Sequence, residues 1–239
     1  MREDCGVNQT EPTPGIRVYG PRADVRAVVL VLHGGRERSR ERVTRRQLAY
    51  LRMVPFAWDI ARKGAGQGIA VWLLRNRYRG WNGPDPDAVA DARWALAEIR
   101  RAHGDVRVVL VGHSMGGRVA LRVAGDESVV AVCALAPWTK PHDPVEHLAG
   151  RTVLIAHGLL DQTTDPEQSY GFASRAKAVT DRVARFDVPG ERHAMLRKAD
   201  KWTRLVTGFV LGVLDTRPID PVITDALGRP APDGLRVPL

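Results

Sequence analysis

Only two cysteines occur in the 239 residues, Cys5 and Cys133, so a disulfide framework is excluded as the basis of the fold. Long apolar runs are also missing. The longest, such as 28–32 and 106–111, fall far short of the roughly 20 residues that cross a bilayer, and the opening MREDCGVNQT is polar, without a signal core. The expectation is a cytoplasmic protein with no membrane partner. Lysine is scarce: five of the 36 basic residues. The formal net charge of +9 therefore rests on arginine, but the arginines are interspersed with Asp and Glu, and no basic motif interleaved with aromatics is found. A nucleic-acid partner is not expected. Two basic clusters stand apart, RERSRERVTRR at 36–46 and RNRYR at 75–79.

What the chain has is apolar content, 44% of residues, enough for one sizeable core. It is arranged with a clear alternation. Nearly continuous apolar runs of strand length lie at 25–32, 68–74, 106–111, 129–135, 152–156 and 182–188, as expected of strands buried on both faces. Segments of helical period fall between and after them, at 44–63, 86–103, 115–124, 166–179 and 195–213. Parallel neighbours need a crossover, and a helix covers the sheet as it crosses. The fold class predicted is α/β: a single domain over 15–215, with a mostly parallel central sheet and helices on both faces. Residues 1–14 lack periodicity and 216–239 are punctuated by proline, so both are expected to be tails.

The run VVLVGHSMGGRVALRVA at 108–124 places Ser114 at the sharp turn between a buried strand and an amphipathic helix. A nucleophile there is held in a strained backbone conformation, and small residues at Gly112 and Gly116 avoid the clash that side chains would cause. The Met115 amide, at the helix start, faces the same spot and can bind an oxyanion. A hydroxyl needs a base to act as a nucleophile near neutrality, and the base needs a carboxylate to fix its tautomer. Of the seven histidines, His193 follows the last predicted strand, in a loop with Pro189 and Gly190 that can carry its ring over the sheet edge. For the carboxylate, Asp161 lies at the loop tip after the strand at 152–156. Asp165 precedes Pro166 and reads as a helix cap. A second oxyanion donor is expected at Gly35, where HGG closes the strand at 25–32 and lets backbone approach a substrate oxygen.

HGG at 33–35, GHSMGG at 112–117, HGLLD at 157–161 and GERH at 190–193, in that order, resemble the α/β-hydrolase superfamily over roughly residues 23–214. The resemblance implies an acyl-enzyme mechanism on a Ser114, Asp161, His193 triad with no metal or organic cofactor. It leaves the substrate open, because the fold hosts esterases, lipases, thioesterases, peptidases and acyltransferases. A serine at 114 disfavours the branches that use an aspartate nucleophile. Only 136–150 separate the strands where many relatives insert a lid, so no lid domain is expected and the site is open, with Trp81 and Trp138 as walls. One departure stands out: TTDP at 163–166 occupies the place where many relatives carry a hydrophobic residue and proline.

The leading expectation is a serine hydrolase cleaving carboxylic ester or thioester bonds of a small acyl substrate. An acyltransferase on the same triad and a catalytically silent ligand-binding protein are the alternatives. Arg36, Arg75 and Arg77 follow strands at the carboxyl edge, where ligands of parallel sheets bind; one or more of them is expected to line the rim and favour anionic substrates, the alternative being a solvated rim.

Overall fold

The computed structural model describes residues 11–239. Eight strands form one sheet: β1 (Gly15–Tyr19), β2 (Ala27–Leu32), β3 (Ile69–Arg75), β4 (Arg107–His113), β5 (Val129–Leu135), β6 (Thr152–Gly158), β7 (Val183–Val188) and β8 (Val237–Pro238), in the order β1-β3-β2-β4-β5-β6-β7-β8. β1 is antiparallel to β3 and all other pairs are parallel. The six strands from β2 to β7 match the apolar runs of the sequence. β2 is buried at every position because both its faces are covered.

The two faces sort by alternation along the strands. Val28, Leu30 and Leu32 pack with α3 (Asp87–His103), α4 (Met115–Val123) and α5 (Pro166–Lys177). Ala27, Val29 and Val31 pack on the other face with α1 (Leu48–Leu51), α2 (Val54–Lys63), α6 (Ala199–Val213) and α7 (Pro221–Gly228). The helical segment expected at 44–63 is thus two helices, with Pro55 in the first turn of the second. α6 begins at Ala199 rather than Met195, whose φ of 54° is incompatible with a helix.

One strand is added to those expected and one expectation is corrected. Residues 15–19 form an edge strand, β1, at the start of the domain. Residues 216–239 are not a tail: they supply α7 and β8, and Ile223, Ala226 and Leu235 are fully buried. The helix starts where the Asp220 carboxylate accepts from the Val222 amide at 2.9 Å and Pro221 sits in the first turn. Lys177 Nζ and Arg185 Nη1 then donate to the carbonyls of Leu227 and Leu235, at 2.8 and 3.1 Å. Of the N-terminal tail expected at 1–14, residues 1–10 lie outside the described residues, and the Thr13 carbonyl accepts from Arg75.

The connection between β5 and β6 holds only a turn of 3-10 helix at Glu146–Leu148, so no lid domain is built there. β2 is flanked by β3 on one side and β4 on the other, which makes the carboxyl ends of β2 and β4 the topological switch point of the sheet. Gly34 and Gly35 follow the first of these strands and Ser114 the second. Among the described residues no helix is long and apolar enough to cross a membrane.

Candidate active site

Ser114 joins β4 to α4 with φ 57° and ψ −119°, a conformation that strains any residue with a Cβ. The turn is possible because its neighbours have no side chains. A Cβ on Gly112 would meet the Gly116 carbonyl oxygen at 2.2 Å, and one on Gly116 would meet the Leu32 oxygen at 2.4 Å. Ser114 Oγ lies 3.0 Å from His193 Nε2, and His193 Nδ1 lies 2.7 Å from Asp161 Oδ2. The three side chains come from the ends of β4, β6 and β7, far apart in sequence and adjacent in space. With Nδ1–H donating to the carboxylate, Nε2 is left as the acceptor for the serine hydroxyl.

Asp161 is buried. Burial works against its charge, but hydrogen bonds from His157 and His193 and from the Thr164 amide hold its pKa well below the usual carboxylate range. It is therefore an anion at every pH at which the protein is folded near neutrality. Asp165 caps α5 instead, its Oδ1 accepting from the Glu167 amide at 2.9 Å.

The directions of two backbone amides, those of Gly35 and Met115, are set by bonds to the neighbouring carbonyls. The carbonyl and N–H of one peptide unit point in opposite directions, so fixing one aims the other. His33 Nδ1 donates to the Gly34 carbonyl at 2.7 Å, while His33 Nε2 accepts from the Asn76 amide at 3.2 Å. This aims the Gly35 N–H away from His33. Burial lowers the pKa of His33 to about 4, so the ring stays neutral and keeps that tautomer. The Ser114 carbonyl likewise accepts from the Trp138 amide at 3.1 Å, which aims the Met115 N–H away from Trp138. Gly35 admits no side chain, since a Cβ would meet the Arg79 oxygen at 2.3 Å and Met115 Cε at 2.4 Å.

The sequence profile of the alpha/beta hydrolase family matches residues 28–238. The chain belongs to this family. No curated protein sequence matches it. Among solved structures, this hydrolase-family chain is similar in fold to the monoacylglycerol lipase of Paleococcus ferrophilus, with 16% identity, a TM-score of 0.61 and coverage of 84% of this chain and 99% of that one. It is also similar to XC6422 of Xanthomonas campestris, a serine hydrolase without a lid, with 20% identity, a TM-score of 0.59 and coverage of 87% and 91%. The esterase Est2 of the planctomycete Thermogutta terrifontis matches with 20% identity, a TM-score of 0.61 and the same coverages. At these identities the likeness is one of fold.

The rim of this family member differs from expectation. Arg75 donates to the backbone carbonyls of Val43 and Thr13, at 3.1 and 3.2 Å, and so braces the sheet edge. Arg77 is held by the buried Asp91, with Nε–Oδ1 at 2.5 Å, and by Asp87 at 3.7 Å. Both arginines are spent on the frame, Arg77 because α3 presents its carboxylates to the end of β3 and Arg75 because backbone carbonyls lie within its reach. Arg36 alone of the three is exposed, directly after Gly35. Trp81 and Trp138 do meet, edge to face at 6.0 Å, and Arg118 lies over both, at 4.2 and 4.8 Å from their ring centroids. Asp143 holds that guanidinium through Nε–Oδ2 at 2.9 Å and Nη2–Oδ1 at 2.7 Å.

Sequence reasoning missed the residues that support the three. Thr164 Oγ1 donates to Asp161 Oδ2 at 2.8 Å, and His157 Nε2 stands 3.2 Å from the same oxygen. His113 Nε2 donates to the His193 carbonyl at 3.0 Å, and burial, with His193 nearby, lowers its pKa to about 3. Glu191 binds the amides of Arg192 and Lys198 and the Trp202 indole, at 2.9, 2.8 and 3.3 Å, which ties down the loop that carries His193. The signal for His33 and His157 was their place before a glycine at a strand end. For Thr164 and Glu191 the sequence held none.

Proposed function

We propose that this protein is a serine hydrolase that cleaves carboxylic ester or thioester bonds through an acyl-enzyme. The observation that carries the reading is the continuous hydrogen-bonded line Ser114 Oγ, His193 Nε2, His193 Nδ1, Asp161 Oδ2, at 3.0 and 2.7 Å, ending on a buried anion. As Ser114 Oγ bonds to the substrate carbonyl carbon, its proton passes to His193 Nε2. Asp161 remains ionised and stabilises the imidazolium. The negative oxygen of the tetrahedral intermediate is received by the N–H groups of Gly35 and Met115. Collapse breaks the bond to the alcohol or thiol, which takes the proton from His193 and leaves. A water molecule then repeats the sequence on the acyl-serine, with His193 as its base, and releases the acid. The short β5–β6 connection adds no lid domain to keep water from the acyl-serine, which supports hydrolysis over transfer to a second acceptor.

The test is covalent and kinetic. A fluorophosphonate probe is expected to label the wild type and not Ser114→Ala, and the variant is expected to keep under about a hundredth of the wild-type kcat on nitrophenyl acetate. Alanine fits the turn as well as serine does, so the circular dichroism spectrum should be unchanged. Equal labelling of both proteins would remove Ser114 from the reaction.

A further inference from the structure

A groove of about 370 Å³ runs between the segment that follows β5 and the loop that carries Asp161, lined by Trp138, Lys140, Gln162, Thr163, Asp165 and Gln168 among others. It adjoins the Ser114, His193, Asp161 line at its acid end, because Asp161 and Thr164 also line it. Lys140 is the only basic side chain in its lining. The Lys140 backbone is fixed: its amide donates to Asp143 Oδ2 at 2.8 Å, and its carbonyl accepts from Arg175 Nη2 at 3.5 Å. Its ammonium lies 5.0 Å from the Trp138 ring centroid and has no ion-pair partner among the described residues.

The nearby carboxylates are committed elsewhere. Asp143 is occupied by Arg118 and by the Lys140 amide. Asp161 receives its donors from the histidines and from Thr163 and Thr164, and Asp165 caps α5. A cation stacked on an indole, at the end of a groove whose two carboxylates, Asp161 and Asp165, already have donors of their own, is a recognition element for one negative charge. Asp161 and Asp165 repel an anion along the loop side of the groove and so confine it to the end where Lys140 lies on Trp138.

We propose that this groove is a subsite for a carboxylate carried by the substrate, with Lys140 as the binding cation. The proposal rests on the ester-hydrolase reading above and narrows it to half-esters of dicarboxylic acids and their thioester counterparts. The net charge of +9 adds long-range attraction for such substrates at low salt.

The experiment uses paired phenyl esters of matched length, one ending in a carboxylate and its twin in a carboxamide, over a series of chain lengths. Rates are corrected for spontaneous hydrolysis. The ratio of kcat/KM for the carboxylate to that for the carboxamide is expected to reach about tenfold at the best length in the wild type, the scale of one charge-assisted hydrogen bond at a half-open site. It should persist in Lys140→Arg and fall to about one in Lys140→Met, which retains an unbranched stem over Trp138. A ratio of one in the wild type, or a ratio that survives in Lys140→Met, overturns the subsite while the carboxamide ester still reports on hydrolysis. If neither ester is turned over, the hydrolase reading fails. Calorimetric titration with glutarate then decides the subsite: binding to the wild type that is lost in Lys140→Met supports it, and binding that is absent or equal in both refutes it.

Discussion

Replacing Thr164 by valine removes one hydroxyl and keeps the shape of the side chain. In the structure that hydroxyl donates to Asp161 Oδ2 at 2.8 Å and lies 3.2 Å from His193 Nδ1, while Nδ1 itself is 2.7 Å from the same Oδ2. In this triangle the hydroxyl proton is nearer to His193 than the hydroxyl oxygen is, so the dipole opposes an imidazolium. With charges of about 0.4 e on the O–H group and an effective dielectric constant of about 20, its removal favours the imidazolium by about 0.4 kcal/mol, or ~0.3 of a pH unit. Asp161 Oδ2 also loses a donor and becomes a better acceptor for His193, which moves the balance the same way. The acid limb of the kcat/KM profile on nitrophenyl acetate is therefore expected to move upward in Thr164→Val, by about 0.3 to 1 pH unit, with Thr164→Ser restoring it. Because a hydrogen bond to a buried charge is lost, the urea midpoint should fall by the equivalent of about 1 to 3 kcal/mol. A profile that stays put or moves to lower pH would refute the argument, since a purely structural loss lowers stability without shifting the limb upward.

Asp161→Asn is expected to lower kcat by several orders of magnitude on an activated ester, whereas Asp165→Asn should leave it within a few-fold and at most cost about 1 kcal/mol in denaturant; the reverse ranking would move the acid to position 165. The pKa of Asp161 is lower in the folded than in the unfolded chain, so this group contributes stability above its unfolded value that is lost as pH falls through the folded one. Acid titrations of stability should accordingly be flatter for Asp161→Asn than for the wild type below about pH 4. Gly35→Ala places a Cβ 2.3 Å from the Arg79 oxygen and should abolish ester hydrolysis by displacing the 33–36 segment, which a retained wild-type rate would contradict.

The alternation of buried strands and amphipathic helices was legible because both faces of the sheet are covered, and the order Ser114, Asp161, His193 was legible because each lies just beyond a strand. β1 escaped notice because GIRVY is short, half-buried and carries Arg17 on an open edge, so it shows no apolar run. The α7 segment had a capping aspartate and a first-turn proline, but the prolines around it suggested a tail. The roles of Arg75 and Arg77 could not be read locally, since their partners lie in other segments: Asp91 on α3, and the carbonyls of Val43 and Thr13. The same holds for Thr164, whose hydroxyl is aimed by the fold and not by its neighbours in sequence.

The positive φ of Ser114 has an evolutionary side. A non-glycine residue held there costs on the order of 1–3 kcal/mol, a sizeable share of what keeps a domain folded. Glycine at this position would relax the backbone and remove the hydroxyl in one step. On the serine-hydrolase reading proposed above, selection of variants for thermal resistance alone would therefore drift toward proteins that outlast their parent and no longer hydrolyse esters. Whatever stability the serine forgoes must come from the rest of the sheet.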